Sequence, residues 1–254
     1  MRNFFRKKRK TLADENKTMK YARYAIGEIL LVVIGILIAL SINTWNEKRK
    51  ATKIEYEYYC RIIEDLEIDL EKIDNQYQKA EEQIEICRSL IIDLFSMTKD
   101  KNYLMNTYLK ALRSDTFFPS KAAFQDIKSS GNLNLITNIK IKNNLIRYYS
   151  ELENLTKQLN QNTDEIVRRA FDYKYVNEVG YQEFDYLKKA LGPEILALLP
   201  KVDWHLNKES NYFKQFESNL VLMIALKERK KQHFDRIKNE MQPLYDSLKN
   251  LCNN

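Results

Sequence analysis

The side chains most often used for acid–base catalysis or for binding metals are scarce in this sequence. His205 and His233 are its only histidines, and neither belongs to an HExxH motif or to another zinc-binding pattern. The three cysteines have neither CxxC nor metal-ligand spacing: Cys60, Cys87 and Cys252. We therefore predict no metal site, no cofactor and no catalytic residue.

Carboxylates, in contrast, are plentiful. Five of them lie close together on one stretch with helical periodicity: Glu64, Asp65, Glu67, Asp69 and Glu71. Such a run is typical of the solvated face of an amphipathic helix. A catalytic pair would instead face each other across a pocket, about 5–10 Å apart. The sequence also lacks GxSxG, GxxxxGK[ST] and GxGxxG motifs. We predict that the protein is not an enzyme.

One apolar stretch dominates the N-terminal part of the chain. Residues 25–45 read AIGEILLVVIGILIALSINTW, and Glu28 is the only charged residue among them. At 1.5 Å per residue a helix of this length covers about 31 Å, the thickness of a bilayer hydrocarbon core. Tyr21 and Tyr24 precede the stretch and Trp45 closes it, where interfacial aromatic residues are expected. These features predict a single transmembrane helix over residues 25–45, in contact with the lipid bilayer.

The net charge of the chain lies entirely before this stretch. Residues 1–24 contain nine basic and two acidic side chains, whereas the remaining residues carry no net charge. Because basic residues beside the first span stay in the cytoplasm, we predict a cytoplasmic arm over residues 1–24 and an outward domain over 46–254. A neutral domain offers no excess charge to phosphates, so no nucleic-acid partner is expected. A cleaved signal peptide ending near Ser41 is the alternative topology.

Two features within the span invite a functional interpretation. Gly35 and Ala39 form a small-xxx-small pair that lets a second helix approach closely. Glu28 is an ionisable residue in an apolar segment, which makes it a candidate functional residue. Its alternative explanation is that the carboxylate reaches toward Lys20 or Arg23 at the cytoplasmic edge.

The rest of the chain has apolar residues at alternating steps of three and four, which is typical of long packed helices or coiled coils. We predict an all-α fold: the transmembrane helix, then an antiparallel bundle of three long helices joined by short connecting helices. The seams around Leu70, Leu155 and Leu244 are expected to share one core. The three long helices are predicted over residues 46–97, from Ile141 to about Gly180, and from an N-cap at Asp203 to about Leu251.

Polar residues interrupt two of these seams: Asn162 and Arg169 in the second, Lys227 and Lys230 in the third. Polar seam positions usually fix register or meet a partner, at some cost in stability. Cys87 lies on the first seam and is interpreted as a small core residue. Three cysteines permit at most one internal disulfide, and we expect three separate thiols instead.

The loop that follows the first long helix contains adjacent aromatic residues, Phe117 and Phe118, followed by Pro119. If the first helix stands upright, this loop lies at the end of the domain far from the bilayer. The two rings are either a buried cap of the bundle or an exposed anchor for a partner. We favour the cap, because Phe in loops more often fills a core than faces water.

Two stretches resemble a family of small, uncharacterised, single-pass bacterial membrane proteins. They are YAIGEILLVVIGILIALSINTWNE, over residues 24–47, and TFFPSKAAFQDIKSSGNLNLITN, over residues 116–138. The resemblance implies the same topology in the bacterial inner membrane, a short basic arm and an outward helical domain. It implies no activity, ligand or catalytic residue.

These observations favour a membrane-anchored, non-enzymatic interaction or sensor protein. An arm of 24 residues cannot hold an enzymatic output domain, so any signal passes to a protein partner or to a second copy of the chain. An envelope enzyme that uses carboxylates of the helical domain is the alternative from another class. A structural spacer is the third possibility, since a helix over residues 46–97 would reach roughly 78 Å.

Overall fold

The computed structural model of the chain describes residues 18–113 and 115–252. Within these ranges it contains helices and no strand, which confirms the all-α prediction. The helices are α1 (Thr18–Ser96), α2 (Lys101–Leu112), α3 (Ala122–Ser129), α4 (Ile139–Ala170), α5 (Val176–Val179), α6 (Asp185–Leu198) and α7 (Asn211–Cys252), with 3₁₀ turns at Asn132–Leu135, Tyr181–Glu183 and Trp204–Leu206. Most of the predicted basic arm, residues 1–17, lies outside the described residues.

The chain forms two compact units, Met1–Glu57 and Tyr58–Asn254, and the boundary between them falls inside α1. In the first unit, the large apolar side chains of the predicted span are exposed from Ile26 to Trp45. By length and composition this part of α1 could cross a membrane. The second unit is called the helical domain below.

The helical domain contains the three expected long helices. Its part of α1 runs antiparallel to α7, because residues further along α1 contact residues earlier in α7: Cys60 with Cys252, Glu67 with Tyr245, Gln83 with Lys227. Helix α7 is also antiparallel to α4, since Arg147 pairs with Glu240 and Glu151 with Arg236. Helices α1 and α4 therefore run in the same direction.

Two parallel helices joined in sequence require a connection that runs back along the bundle. Residues 101–138 form it, and we call them the return segment. Helix α2 starts after the Asp100 side chain accepts a hydrogen bond from the Tyr103 amide. An extended stretch then leads to α3, and two residues after its end Gly131 has φ 74°, a left-handed conformation that glycine adopts without strain. The chain is thus returned to the starting end of the domain before α4 begins.

Two apolar clusters make up the core. The first joins the early part of α1 in this domain, α3, the first half of α4 and the second half of α7. It contains Leu155 and Leu244, and Leu70 packs against it, so the expected shared core is confirmed. The second joins the end of α1, α2, the end of α4, Trp204 and the first half of α7. Between them α7 contributes the buried side chains of Lys227 and Lys230.

The second seam differs from the prediction in its last turns. Arg169 is exposed and Asn162 only half-buried, while the next residues, Thr163 and Ala170, are buried. Helix α4 ends at Ala170 rather than near Gly180, because the chain turns to bury Tyr173. Gly180, at φ 108°, instead ends the short helix α5.

The third helix begins later than predicted. Asp203 is not its N-cap, because Trp204 is buried and donates its indole N–H to the Val179 carbonyl at 2.7 Å. This contact holds residues 204–206 in a separate 3₁₀ turn, so His205 does not lie on the long helix. Helix α7 starts at Asn211, where the Ser210 side chain accepts from the Tyr212 amide.

The expectation of three separate thiols was wrong. Cys60 and Cys252 form a disulfide with their Cα atoms 5.6 Å apart, within the usual range for such bridges. They lie 192 residues apart in sequence, and only the antiparallel pairing of α1 with α7 brings them together. In the chain-entropy treatment, closing a loop of this length stabilises a fold by about 5 kcal/mol. Cys87 is a buried free thiol, as predicted.

Leu155 provides a direct test of the first cluster. We expect Leu155→Asp to unfold the helical domain, because an unpaired buried carboxylate costs roughly 3–5 kcal/mol. Thermal unfolding of the full chain, followed by circular dichroism, measures the loss. The control is Asn154→Asp at the exposed neighbouring position, which should change stability by less than about 0.5 kcal/mol. Equal melting temperatures for the two variants would contradict the shared core.

Candidate functional site

One face of α1 carries polar side chains that hold the return segment. Asp69 accepts from the Ser120 amide at 2.7 Å, and Asp65 accepts from the Ala123 amide at 2.9 Å. Lys72 donates to the Phe118 carbonyl at 3.1 Å and to the Ser120 hydroxyl at 2.9 Å. These contacts satisfy backbone groups that an extended chain leaves without partners.

Two of the five carboxylates predicted to face solvent therefore do not. Glu64, Glu67 and Glu71 are exposed, but Asp65 is half-buried and Asp69 is fully buried. Burial raises the pKa of the Asp69 carboxyl, and the Ser120 amide and Lys72 oppose that shift. This carboxylate binds a backbone amide. Helical periodicity in the sequence does not distinguish such a buried carboxylate from one that faces solvent.

Further along the same face, α1 contributes to a cleft beside the extended stretch and α7. We call this the lysine cleft. It has a volume of about 430 Å³ and is lined by Gln76, Lys79, Glu82, Gln83, Arg113, Asp115 and Lys230. Ser114, between two lining residues, lies outside the described residues.

The two lysines of α7 that interrupt its seam meet at this cleft. Lys227 is 1% exposed and Lys230 is 8% exposed. The Lys227 ammonium donates to the Gln83 side-chain oxygen at 2.5 Å and to the Arg113 carbonyl at 3.5 Å. The Lys230 ammonium donates to the Asp115 carbonyl at 3.0 Å and lies 5.6 Å from the centre of the Phe234 ring.

All of these oxygen partners are neutral. Among the described residues, no carboxylate lies within ion-pair distance of either ammonium, because the Asp115 carboxylate pairs with Lys79 at 2.6 Å. Burial lowers the pKa of Lys227 to about 8, and that of Lys230 to about 8 as well. The Lys230 ammonium lowers the pKa of Lys227 further, and the Lys79 ammonium lowers the pKa of Lys230. The bundle thus carries two buried positive charges without an anionic partner in contact.

Cys87 lies near this layer but is not a reactive thiol. Burial raises the pKa of Cys87 to about 11, and the nearby Lys227 ammonium only partly offsets this. Thiolate, the nucleophilic form, is therefore disfavoured. Its interpretation as a small core residue agrees with its complete burial.

Two other clefts in the described part of the domain also contain carboxylates. In one, between α4 and α7, Glu151 and Glu240 are paired with Arg236 and Arg147. The other has a volume of about 380 Å³ and is lined by Asp100, Lys101, Asn102, Glu183, Lys201, Asp203, His205 and Leu206. There Asp100 caps α2 and Glu183 pairs with Lys188 at 2.9 Å.

The predicted aromatic loop divides into two environments. Phe117 is 1% exposed and packs edge-on against Phe234 with ring centres 5.4 Å apart, whereas Phe118 is 72% exposed. The Asn160 side chain holds the Phe117 backbone by accepting from its amide at 3.2 Å and donating to its carbonyl at 3.3 Å. Pro119 is half-buried. The loop lies beside α1 near Lys72 and not at the Ser96 end of that helix.

The predicted residues of the span lie on the exposed part of α1. Glu28 is half-buried, and Ala39 is exposed. A side chain built at Gly35 would meet no atom within 4 Å. Trp45 is exposed, with the Arg49 guanidinium 6.0 Å from its ring centre. These four residues belong to the first compact unit, whereas the residues of the lysine cleft belong to the helical domain.

The two aromatic neighbours can be separated by experiment. We expect Phe117→Ala to destabilise the domain by about 3–5 kcal/mol, because it leaves a cavity against Phe234. Phe118→Ala serves as the matched control and should leave the melting temperature of the full chain unchanged. If both variants melted like the wild type, the assignment of Phe117 to the core would fail.

The buried lysines predict a rise of stability with pH. Their pKa in the folded chain is about 8, below the ordinary 10.5, so the unfolded chain binds more protons above about pH 8. Folding free energy should therefore become more favourable from about pH 7 to 9, by on the order of 2 kcal/mol. Above this window the Cys87 thiol, with its raised pKa, acts in the opposite direction.

Urea unfolding of the full chain at several pH values measures this slope. The double substitution Lys227→Met and Lys230→Met should flatten it. Lys238→Met, on the same helix at a lysine that pairs with Asp74, is the control and should preserve it. A slope unchanged in the double variant would show that the two lysines titrate normally.

Comparison with known proteins places the chain in a family without assigning it a function. Neither a curated protein nor a solved structure matches it. A family model described as a family of unknown function (DUF6090) matches residues 28–180, more than half of the chain. This range includes residues 116–138 and most of 24–47, and the expected resemblance to an uncharacterised family is thereby confirmed. The chain belongs to DUF6090, a family of unknown function.

Proposed function

We propose that this protein is a single-pass, membrane-anchored, non-enzymatic sensor that binds a ligand in its helical domain and passes the signal to a protein partner. The exposed apolar part of α1 spans the bacterial inner membrane. Residues 1–24 lie in the cytoplasm, and the helical domain lies on the periplasmic side.

Two independent features support this topology. The nine basic residues before the span favour a cytoplasmic N-terminus. The Cys60–Cys252 disulfide belongs to the helical domain, and disulfides persist in oxidising compartments outside the cytoplasm. The charge rule concerns the arm and the disulfide concerns the domain, yet both favour the same orientation.

The lysine cleft is the observation that carries the sensor assignment. A stable bundle needs no buried ammonium, and replacing buried charges by apolar residues is often neutral or stabilising. Lys227 and Lys230 have no anionic partner in contact within the described chain, yet they border a cleft large enough for a small molecule. Binding of a negatively charged ligand would explain why these two lysines are buried.

Signal transfer across the membrane is proposed to proceed through a second helix that packs beside the span. Gly35 and Ala39 offer a close-packing surface on the span, and the space beside Gly35 is open. A partner protein or a second copy of the chain fits this role.

An envelope enzyme remains the second candidate function, favoured by the cleft around His205. This imidazole is 7% exposed, and its Nδ1 has no hydrogen-bond partner among the described residues. Burial lowers the pKa of His205, which favours the neutral form that a general base requires. A hydrolytic activity of the purified chain that His205→Gln abolishes would favour this alternative over the sensor.

Topology is tested by reporter fusion and by the state of the cysteines in cells. We expect a reporter fused after Asn254 to be active only outside the cytoplasm, and N-terminal sequencing to retain Met1 to Ser41. Cys60 and Cys252 should react with a maleimide only after reduction. The Cys60→Ser, Cys252→Ser variant is the control for labelling at Cys87. A mature chain that begins at Ile42, or a reporter active in the cytoplasm, would overturn the proposed topology.

A further inference from the structure

We infer that the lysine cleft binds a small oxyanion that also carries a hydrogen-bond donor, such as hydrogen phosphate, a hydroxy acid or an amino acid. This inference rests on the proposed sensor function and names the chemical class of its ligand. It does not depend on the direction in which the helical domain faces, because binding is a property of the domain alone.

The charge of the cleft selects an anion. Its lining contains three basic side chains, Lys79, Arg113 and Lys230, against two carboxylates, Glu82 and Asp115. Lys79 and Asp115 already form an ion pair. The buried Lys227 ammonium adds a further positive charge through its hydrogen bond to the lining residue Gln83.

The donors needed to hold an oxyanion are present. An ammonium has three N–H donors, and the Lys230 ammonium uses one of them on the Asp115 carbonyl. Arg113 is exposed, and its planar guanidinium can present two parallel donors to a carboxylate or a phosphate. Together Lys230 and Arg113 supply a buried charge and a bidentate contact at one cleft.

An orphaned acceptor specifies the second property of the ligand. The side-chain oxygen of Gln76 is buried and has no hydrogen-bond partner. Its amide nitrogen donates to the Thr116 carbonyl at 3.4 Å, which leaves the oxygen as the unsatisfied atom of this side chain. A buried acceptor without a partner is costly, and an O–H or N–H of the ligand satisfies it. The ligand is therefore an oxyanion that can also donate.

The size of the cleft restricts the ligand further. A volume of about 430 Å³ lies at the small end of the range for small-molecule sites, roughly 300–1,000 Å³. Residues 25–254 carry no net charge, which argues against nucleic acid as the ligand of this cleft. Lactate and inorganic phosphate fit the class and serve as probes, and propionate is the matched acid without the hydroxyl group.

The experiment measures thermal unfolding and calorimetric binding of the full chain in an uncharged detergent, at constant ionic strength set with chloride. We expect phosphate and lactate to raise the melting temperature by several degrees, and lactate to bind at least tenfold more tightly than propionate. Lys230→Met should weaken phosphate and lactate at least tenfold and abolish the shift, while Lys238→Met should retain both. Without ligand, Lys230→Met should melt no lower than the wild type, because it removes an uncompensated charge.

A second variant keeps the inference testable if Lys230→Met fails to fold. Gln76→Leu removes the orphaned acceptor, and it should reduce lactate binding to the level of propionate. Phosphate and other strongly hydrated salts stabilise proteins generally, so a shift of equal size in wild type and Lys230→Met would overturn the inference. Equal affinities of the wild type for lactate and propionate would overturn the donor requirement. If the cleft bound lactate and phosphate but the reporter fusion placed the helical domain in the cytoplasm, only the proposed topology would be refuted.

Discussion

The polar face of α1 is the constraint on which the rest of the helical domain depends. An extended stretch packed against a bundle cannot satisfy its own backbone groups, and each one buried without a partner costs about 1–3 kcal/mol. Asp69 accepts from the Ser120 amide of this stretch, Asp65 accepts from the Ala123 amide in the first turn of α3, and Lys72 donates to the Phe118 carbonyl. Because these contacts hold the return segment along α1, the chain begins α4 at the end where α1 enters the domain, and the two helices become parallel.

The same arrangement explains why the core is divided. The extended stretch brings main-chain carbonyls of Arg113 and Asp115 against α7, where an unbroken seam would have placed leucines. Lys227 and Lys230 donate to these carbonyls, and the apolar clusters continue on either side of them. The domain thus accepts two buried charges at the level where the carbonyls of the extended stretch face α7. The apolar clusters on either side of this level and the Cys60–Cys252 bridge stabilise the domain as a whole.

Periodicity was sufficient to predict the helices and the core, because burial of one apolar face imposes the same spacing wherever a helix packs. The seams around Leu155 and Leu244 followed from it directly. Contacts between distant parts of the chain did not follow, since spacing reports which face of a helix is buried and not what it meets. The disulfide depends on the pairing of α1 with α7, whereas the burial of Asp69 and the different environments of Phe117 and Phe118 depend on the path of the return segment. Two helix ends were predicted wrongly because a single buried side chain decides each of them. Tyr173 ends α4 earlier than predicted, and Trp204 delays the start of α7.

The polar residues on the predicted seams differ in burial: Lys227 and Lys230 are buried, whereas Asn162 and Arg169 are not. The residues next to them explain this difference. Asn162 and Arg169 are each followed by a small residue, Thr163 or Ala170, so α4 rotates slightly and buries that residue instead. Lys227 and Lys230 are followed by Glu228 and Lys231, so the same small rotation of α7 would bury another charged side chain.

A polar interruption is therefore informative when the residue that follows it offers no small or apolar substitute. Such a charge is forced into the interior by the helix that carries it, and the surrounding structure must supply acceptors. In this chain it supplies neutral oxygens and a cleft, which is less than two ammonium groups require. A purely structural polar layer would contain its own anionic partner for the two ammonium groups. Here that partner is absent from contact among the described residues, which is why we interpret the layer as a binding site for an anion.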